Sequence, residues 1–162
     1  AMPDSSETMK VPGNINLTAA QRYDRTAIYY NPFRPSLAPI IASTQQPIIV
    51  TVHSFTPIFH GTLRNVEIGI LHDSDDRLAQ AMEQIATSHT DLNVKLNAPY
   101  GPQDGVTHTL KEHAITEGYL NVMLEIRNDL IIDTHHQDAM ADCLYKWLSN
   151  ALAILDVSDD VQ

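Results

Sequence analysis

The sequence predicts an α/β layered fold with mainly parallel strands, and three observations carry that prediction. Runs suited to buried strands, residues 47–55 and 66–71, alternate with stretches of helical apolar spacing along the whole chain. Capping-box pairs, Thr18 with Gln21 and Thr134 with Gln137, stand just ahead of two of those stretches. Strand and helix therefore follow one another in the order that right-handed crossovers require. The 162 residues make a single α/β domain, long enough to bury roughly 70% of the surface the unfolded chain exposes. One cysteine excludes an internal disulfide framework and fits a reducing compartment.

Charge and hydropathy narrow the functional classes. A formal charge of −10 with no basic stripe repels phosphate backbones, so nucleic acid is not an expected partner. Residues 1–16 contain no apolar core of a leader, and no later run approaches the roughly 20 apolar residues of a membrane span. The expectation is a cytoplasmic protein without membrane contact.

Taken in order, residues 1–16, with Pro3, Pro12 and Gly13, read as an extended strap. Ala20, Tyr23, Ala27 and Tyr30 predict a helix from Thr18 towards Asn31. Pro32, Pro35 and Pro39 then either end it, with a restart near Pro35, or kink one continuous helix. The β-branched run at residues 47–53 is expected to be a fully buried strand, and it ends on His53. A loop over residues 54–64 and a strand over 66–71 follow. Asp73, Asp75 and Asp76 precede a helix bearing Leu78, Ala81, Met82 and Ile85 on one face. They are read as acids complementing its first turn rather than as a cation site. Residues 91–96 form a short strand, 97–105 a Pro/Gly loop, and 107–117 a helix closed by Gly118.

In residues 121–127, Val122, Leu124 and Ile126 share one face of a strand, and Asn121, Met123, Glu125 and Arg127 share the other. Charges on an otherwise apolar strand are costly unless they are paired or used. A structural ion pair between Glu125 and Arg127 is one reading and a functional site the other. Met140, Cys143, Leu144, Trp147, Leu148, Ala151 and Leu155 form the stripe of a long closing helix, which makes Cys143 a core thiol. His135 and His136 lie in its solvated first turn. Residues 156–162 are an acidic tail. Four strands make a small sheet with an exposed edge.

No phosphate loop, GxSxG elbow, CxxC or HExxH is present. The two suspicious places are strand ends, His53 and Glu125/Arg127, because open α/β sheets bind ligands beyond the carboxyl ends of their strands. At these residues the chain resembles the N-formylglutamate amidohydrolase family. The matching series is Val11-Pro12-Gly13-Asn14, Ala20-Gln21-Arg22, Val52-His53-Ser54-Phe55-Thr56-Pro57, Ile68-Gly69-Ile70-Leu71, Asp76-Arg77-Leu78, Asn97-Ala98-Pro99-Tyr100, Thr109-Leu110, His113 and Glu125-Ile126-Arg127-Asn128-Asp129-Leu130.

The resemblance implies a three-layer α/β/α fold of the phosphorylase/hydrolase-like type, with a mainly parallel mixed sheet. It also implies zinc-dependent hydrolysis of the N-acyl amide of an acidic amino acid. His53 would be a zinc ligand and Glu125 the general base and acid. Arg127 would receive the substrate carboxylate, and Tyr100 and His113 would line the pocket. A catalytic zinc takes about three protein ligands plus water, and the family's other ligands lie in an amino-terminal portion that nothing before Val11 matches. The family's Pro-Tyr-His at the first helix is Pro32-Phe33-Arg34 here. Two expectations follow: the carboxyl-terminal half of an amidohydrolase, or a truncated, non-catalytic relative that binds a small carboxylate or a partner chain. A homo-oligomer formed through the sheet edge is compatible with either.

Overall fold

The pair Thr18/Gln21 starts the first helix as its spacing demands. The Thr18 hydroxyl accepts from the Gln21 amide at 3.2 Å, and the Gln21 side chain accepts from the Thr18 amide at 2.9 Å. In the computed structural model, which describes residues 3–7 and 9–155, the chain divides into two compact units. One comprises residues 1–47 with 59–62, and the other 48–58 with 63–162. The tail at 156–162 lies outside the described residues.

In the first unit a short antiparallel ladder pairs Ser5–Ser6 with Met9–Lys10, and a 3₁₀ turn spans Pro12–Asn14. Arg22 meets Asp4 at 2.8 Å, and Arg25 donates to Asn14 at 2.8 Å. Helix α1 (Ala19–Arg25) passes through a π turn (Thr26–Tyr30) into α2 (Asn31–Ser43). The proline run thus does not end the helix, which continues through a π turn with Pro35 and Pro39 inside α2. In an unbroken α-helix the Pro32 ring would press on the carbonyl four residues back. The widened turn, in which the Asn31 amide donates to Thr26, displaces that carbonyl just before the proline.

The second unit is built on a four-stranded sheet of β1 (Ile49–Phe55), β2 (Ile68–Leu71), β3 (Val94–Leu96) and β4 (Asn121–Arg127), in the order β1-β4-β2-β3. The β1–β4 and β2–β3 pairs are parallel and β4–β2 is antiparallel. This corrects one expectation. Among the described residues β1 pairs with β4 alone, and Val52 is 59% exposed, whereas residues 121–126 are all buried. β-branched composition suits any pleated surface and does not report how many strands flank it. The last strand in sequence, rather than the first, occupies the interior.

Val122, Leu124 and Ile126 pack with Ile68 and Ile70 against helices α3 (Arg77–Gln84) and α5 (Thr134–Ile154). On the other face Met123 and Leu71 meet Leu110 of α4 (His108–His113). Gly118, at φ +73°, closes the 3₁₀ turn Ile115–Glu117 after α4. Cys143 lies on the α5 stripe with its Sγ 3.5 Å from the His89 carbonyl, and burial pushes its thiol up. Among the described residues no helix is long and apolar enough to cross a membrane.

Two local readings change. The cap of α5 is Asp133, which accepts from the His136 amide at 2.9 Å, while Gln137 donates to the Ile131 carbonyl at 3.1 Å. A carboxylate on extended backbone is a stronger acceptor than the Thr134 hydroxyl one residue later. Asp73 and Asp75 cross-link the fold, and no acid lies in the first turn of α3. Asp73 accepts from Thr107 at 2.6 Å and from Lys111 at 3.0 Å. Asp75 takes two bonds from the Arg77 guanidinium, at 2.9 and 2.7 Å, one from the Arg77 amide at 3.2 Å and one from Asn121 at 3.3 Å.

Burial pushes the Asp73 carboxyl up, but Thr107, Lys111 and the Ser74 amide together outweigh it and hold the group low. The Arg77 bonds hold Asp75 low against a smaller cost of burial. A depressed folded-state pKa contributes stability above the unfolded value near 4 and loses it as pH falls through the folded value. The melting temperature is therefore expected to fall below about pH 4, and Asp75→Asn to flatten that fall. An unchanged pH profile in the variant would remove Asp75 from the account.

Candidate active site

The register of β1 on β4 sets the site. His53 is the partner of Glu125 and Phe55 of Arg127, and partners on neighbouring strands, about 4.8 Å apart, point to one face. On the far side of β4 the partner of Glu125 is Gly69. A Cβ on Gly69 would stand 2.1 Å from the Ala98 carbonyl oxygen, so only glycine lets the loop over residues 97–100 lie down on the sheet here. Glu125 is consequently 4% exposed in mid-sheet. His53, on the edge strand, is open to solvent. An enclosed carboxylate thus sits beside an accessible imidazole.

The other expected residues stand around this pair, on the same strand, on the loop over Gly69 and on helix α4. Arg127 lies two residues beyond Glu125 on the same strand, but its ion-pair partners are Glu67 and Asp129. It donates to Asp129 at 2.8 and 3.2 Å, to Glu67 at 3.2 Å and to the Arg64 carbonyl at 3.1 Å. The Asp129 bonds, with Glu67 adding to them, hold its guanidinium charged. Tyr100 ends the loop that rests on Gly69, and its ring centroid is 5.3 Å from the Arg64 guanidinium carbon. His113 is buried in the last turn of α4, the helix that covers Met123.

Two residues of this region escape sequence reasoning. Arg64 sits in an aperiodic loop and carries no signal of its own. Gly69, a lone glycine inside a strand, is a signal of close backbone approach that can be read in advance.

His53 and Glu125 are two potential metal donors, and among the described residues no three His, Cys, Asp or Glu side chains gather at one point. Because a catalytic zinc takes about three protein ligands, the described residues do not by themselves fit a complete zinc site.

These features define a mixed α/β protein with a carboxylate–imidazole pair across two parallel strands, placed where such sheets bind ligands. The profile of the family described as N-formylglutamate amidohydrolase matches residues 1–132, and the chain belongs to that family. The crystal structure of gene product Atu2144 from Agrobacterium tumefaciens is 49% identical, with a TM-score of 0.89 over 96% of this chain. The present chain spans 63% of the length of that one. No curated protein matches.

Proposed function

We propose that this chain carries the proton-transferring half of an amidohydrolase site for linear amides, acting on the N-acyl bond of a small acylated acidic amino acid such as N-formylglutamate. The observation that carries the reading is the His53–Glu125 register pair, with Glu125 enclosed. Family membership supports the reaction class. The fold in this reading is the three-layer α/β/α phosphorylase/hydrolase-like type.

Amide hydrolysis adds water across the C–N bond, so one proton must leave the water and one must reach the departing nitrogen. A single carboxylate can do both in turn, and Glu125 is assigned that task. Tyr100 and His113 are assigned to the walls of the pocket. Zinc, where bound, polarises the carbonyl and acidifies water. His53 would be one ligand, and the others would come from outside the described residues.

The donor count among the described residues supports a second reading, in which the chain binds a small carboxylate or a partner without turnover.

One sample decides between them: zinc by elemental analysis, formate release from N-formylglutamate and binding of the same compound. The amidohydrolase reading expects zinc and turnover once the remaining donors are supplied, and it expects His53→Ala to lower the zinc content. Zinc content unchanged by that substitution would sink the metal role of His53. Binding without formate release under the same conditions would support the second reading.

A further inference from the structure

We infer that Asn97 and His72 are positioning residues for the pocket wall at Tyr100, through a hydrogen-bond chain that only a neutral His72 completes. The inference rests on the reading above for the meaning of that wall. Asn97 is the first residue after β3, and its amide donates to the Ile70 carbonyl at 3.0 Å. Its backbone takes the left-handed conformation, at φ +47°, which asparagine tolerates better than most residues. The chain turns back there, and the Ala98 carbonyl lies against Gly69, the sheet partner of Glu125. Tyr100 follows two residues later and meets the Arg64 guanidinium.

The Asn97 side chain holds this turn. Its Oδ1 accepts from the His72 amide at 2.9 Å, and its Nδ2 lies 3.0 Å from His72 Nε2, while His72 Nδ1 lies 2.8 Å from the Asp73 carbonyl oxygen. The direction of every bond is forced. A backbone amide can only donate, so the carboxamide presents its oxygen to that amide and its NH2 group to the ring. Nε2 must therefore accept. A carbonyl can only accept, so Nδ1 must carry the proton. One neutral tautomer satisfies every contact. A proton on Nε2 would set N–H against N–H, and turning the carboxamide over would set its NH2 group against the His72 amide.

The charged groups on the His72 side are Asp73 and Asp75. Each is already matched by a cation, Asp73 by Lys111 at 3.0 Å and Asp75 by Arg77 at 2.7 Å. Lys111 belongs to α4, which also carries His108, Glu112 and His113. The start of β4 contributes Asn121, which is uncharged and donates to Asp75, and the loop contributes Tyr100. His72 is only partly buried, so protons reach it. Imidazoles change charge between about pH 5 and 8. The wall is accordingly seated at pH 8 and released in mild acid.

The test is amide hydrogen exchange followed by NMR on the 162-residue chain at about pH 8 and pH 5, each rate divided by its intrinsic value at that pH. Protection of the His72 and Asn97 amides is expected to fall about tenfold from the higher pH to the lower, the equivalent of one or two hydrogen bonds. The Tyr100 ring signals should shift in parallel. Leu124, in the middle of β4, should keep its protection, which separates release of the loop from a general loss of stability. Asn97→Asp should reverse the response. Its two carboxylate oxygens accept from the His72 amide and from a protonated Nε2, so protection should be greater in acid. His72→Gln should abolish the pH dependence. A merely structural clamp would lose protection in Asn97→Asp without a change of sign. The inference is overturned if the unaltered chain is equally protected at both pH values, if Leu124 falls in step, if the Tyr100 signals do not move, or if Asn97→Asp keeps the original direction. Should His72→Gln lose its circular-dichroism signature of folding, the unaltered chain and Asn97→Asp decide. Neither zinc nor N-formylglutamate enters the measurement, so failure of the amidohydrolase reading leaves its outcome unchanged.

Discussion

If the proposed amidohydrolase reading holds and the remaining metal donors are supplied, Glu125→Gln is expected to lower turnover of N-formylglutamate by about 10²–10⁴-fold, the usual contribution of a positioned general base. The substitution keeps the shape of the side chain and its capacity to hydrogen-bond, and removes only its affinity for a proton. Its position makes the comparison clean. Glu125 lies on the interior strand β4, between His53 of β1 and Gly69 of β2, where Ala98 lies against Gly69. The amide fills the same space as the carboxylate, so the variant should fold, with a melting temperature close to that of the unaltered chain. Initial rates of formate release check the prediction at matched zinc content. Normal turnover would remove Glu125 from the chemistry, and a collapse of the melting temperature would assign it to the fold.

Trp147→Ala should cost about 3–5 kcal/mol of stability, read from the midpoint of urea denaturation. Trp147 is wholly buried in the core between the sheet and α5, stacked on His89 with the ring planes 9° apart. Its indole nitrogen donates to the Met82 carbonyl at 2.8 Å. Two effects compete for the explanation, the cavity and the lost hydrogen bond. The Met82 carbonyl also accepts from the Ile85 amide at 3.3 Å, so truncation does not orphan it and the hydrogen bond accounts for about 1 kcal/mol. The cavity dominates. A loss below about 1 kcal/mol would mean that α3 and α5 collapse onto the vacated space.

Features that depend on neighbours in sequence were open to reading without coordinates. The Thr18/Gln21 box, the left-handed Gly118 and the alternation of Val122, Leu124 and Ile126 against Met123 and Glu125 each follow from spacings of a few residues. The same holds for His53 near the end of its strand. At helix α5 even a local signal misled, because Asp133 and Thr134 are adjacent candidates for one cap and only the backbone conformation of Asp133 chooses between them.

Tertiary structure decided what long-range pairing decides. Apolar runs state that a strand is at least half-buried and leave its neighbours open, so the insertion of β4 between β1 and β2, which exposes β1 and encloses Glu125, could not be read from either run. The partner of Arg127 was open for the same reason: Glu67 is 60 residues away and reaches it only once β2 lies antiparallel to β4. Arg64 and Tyr100 meet because one loop follows β1 and another rests on Gly69. The chain by itself specified which residues could do chemistry. The order of the strands decided which of them stand together, because sheet partners are chosen by complementary faces across long loops rather than by sequence proximity.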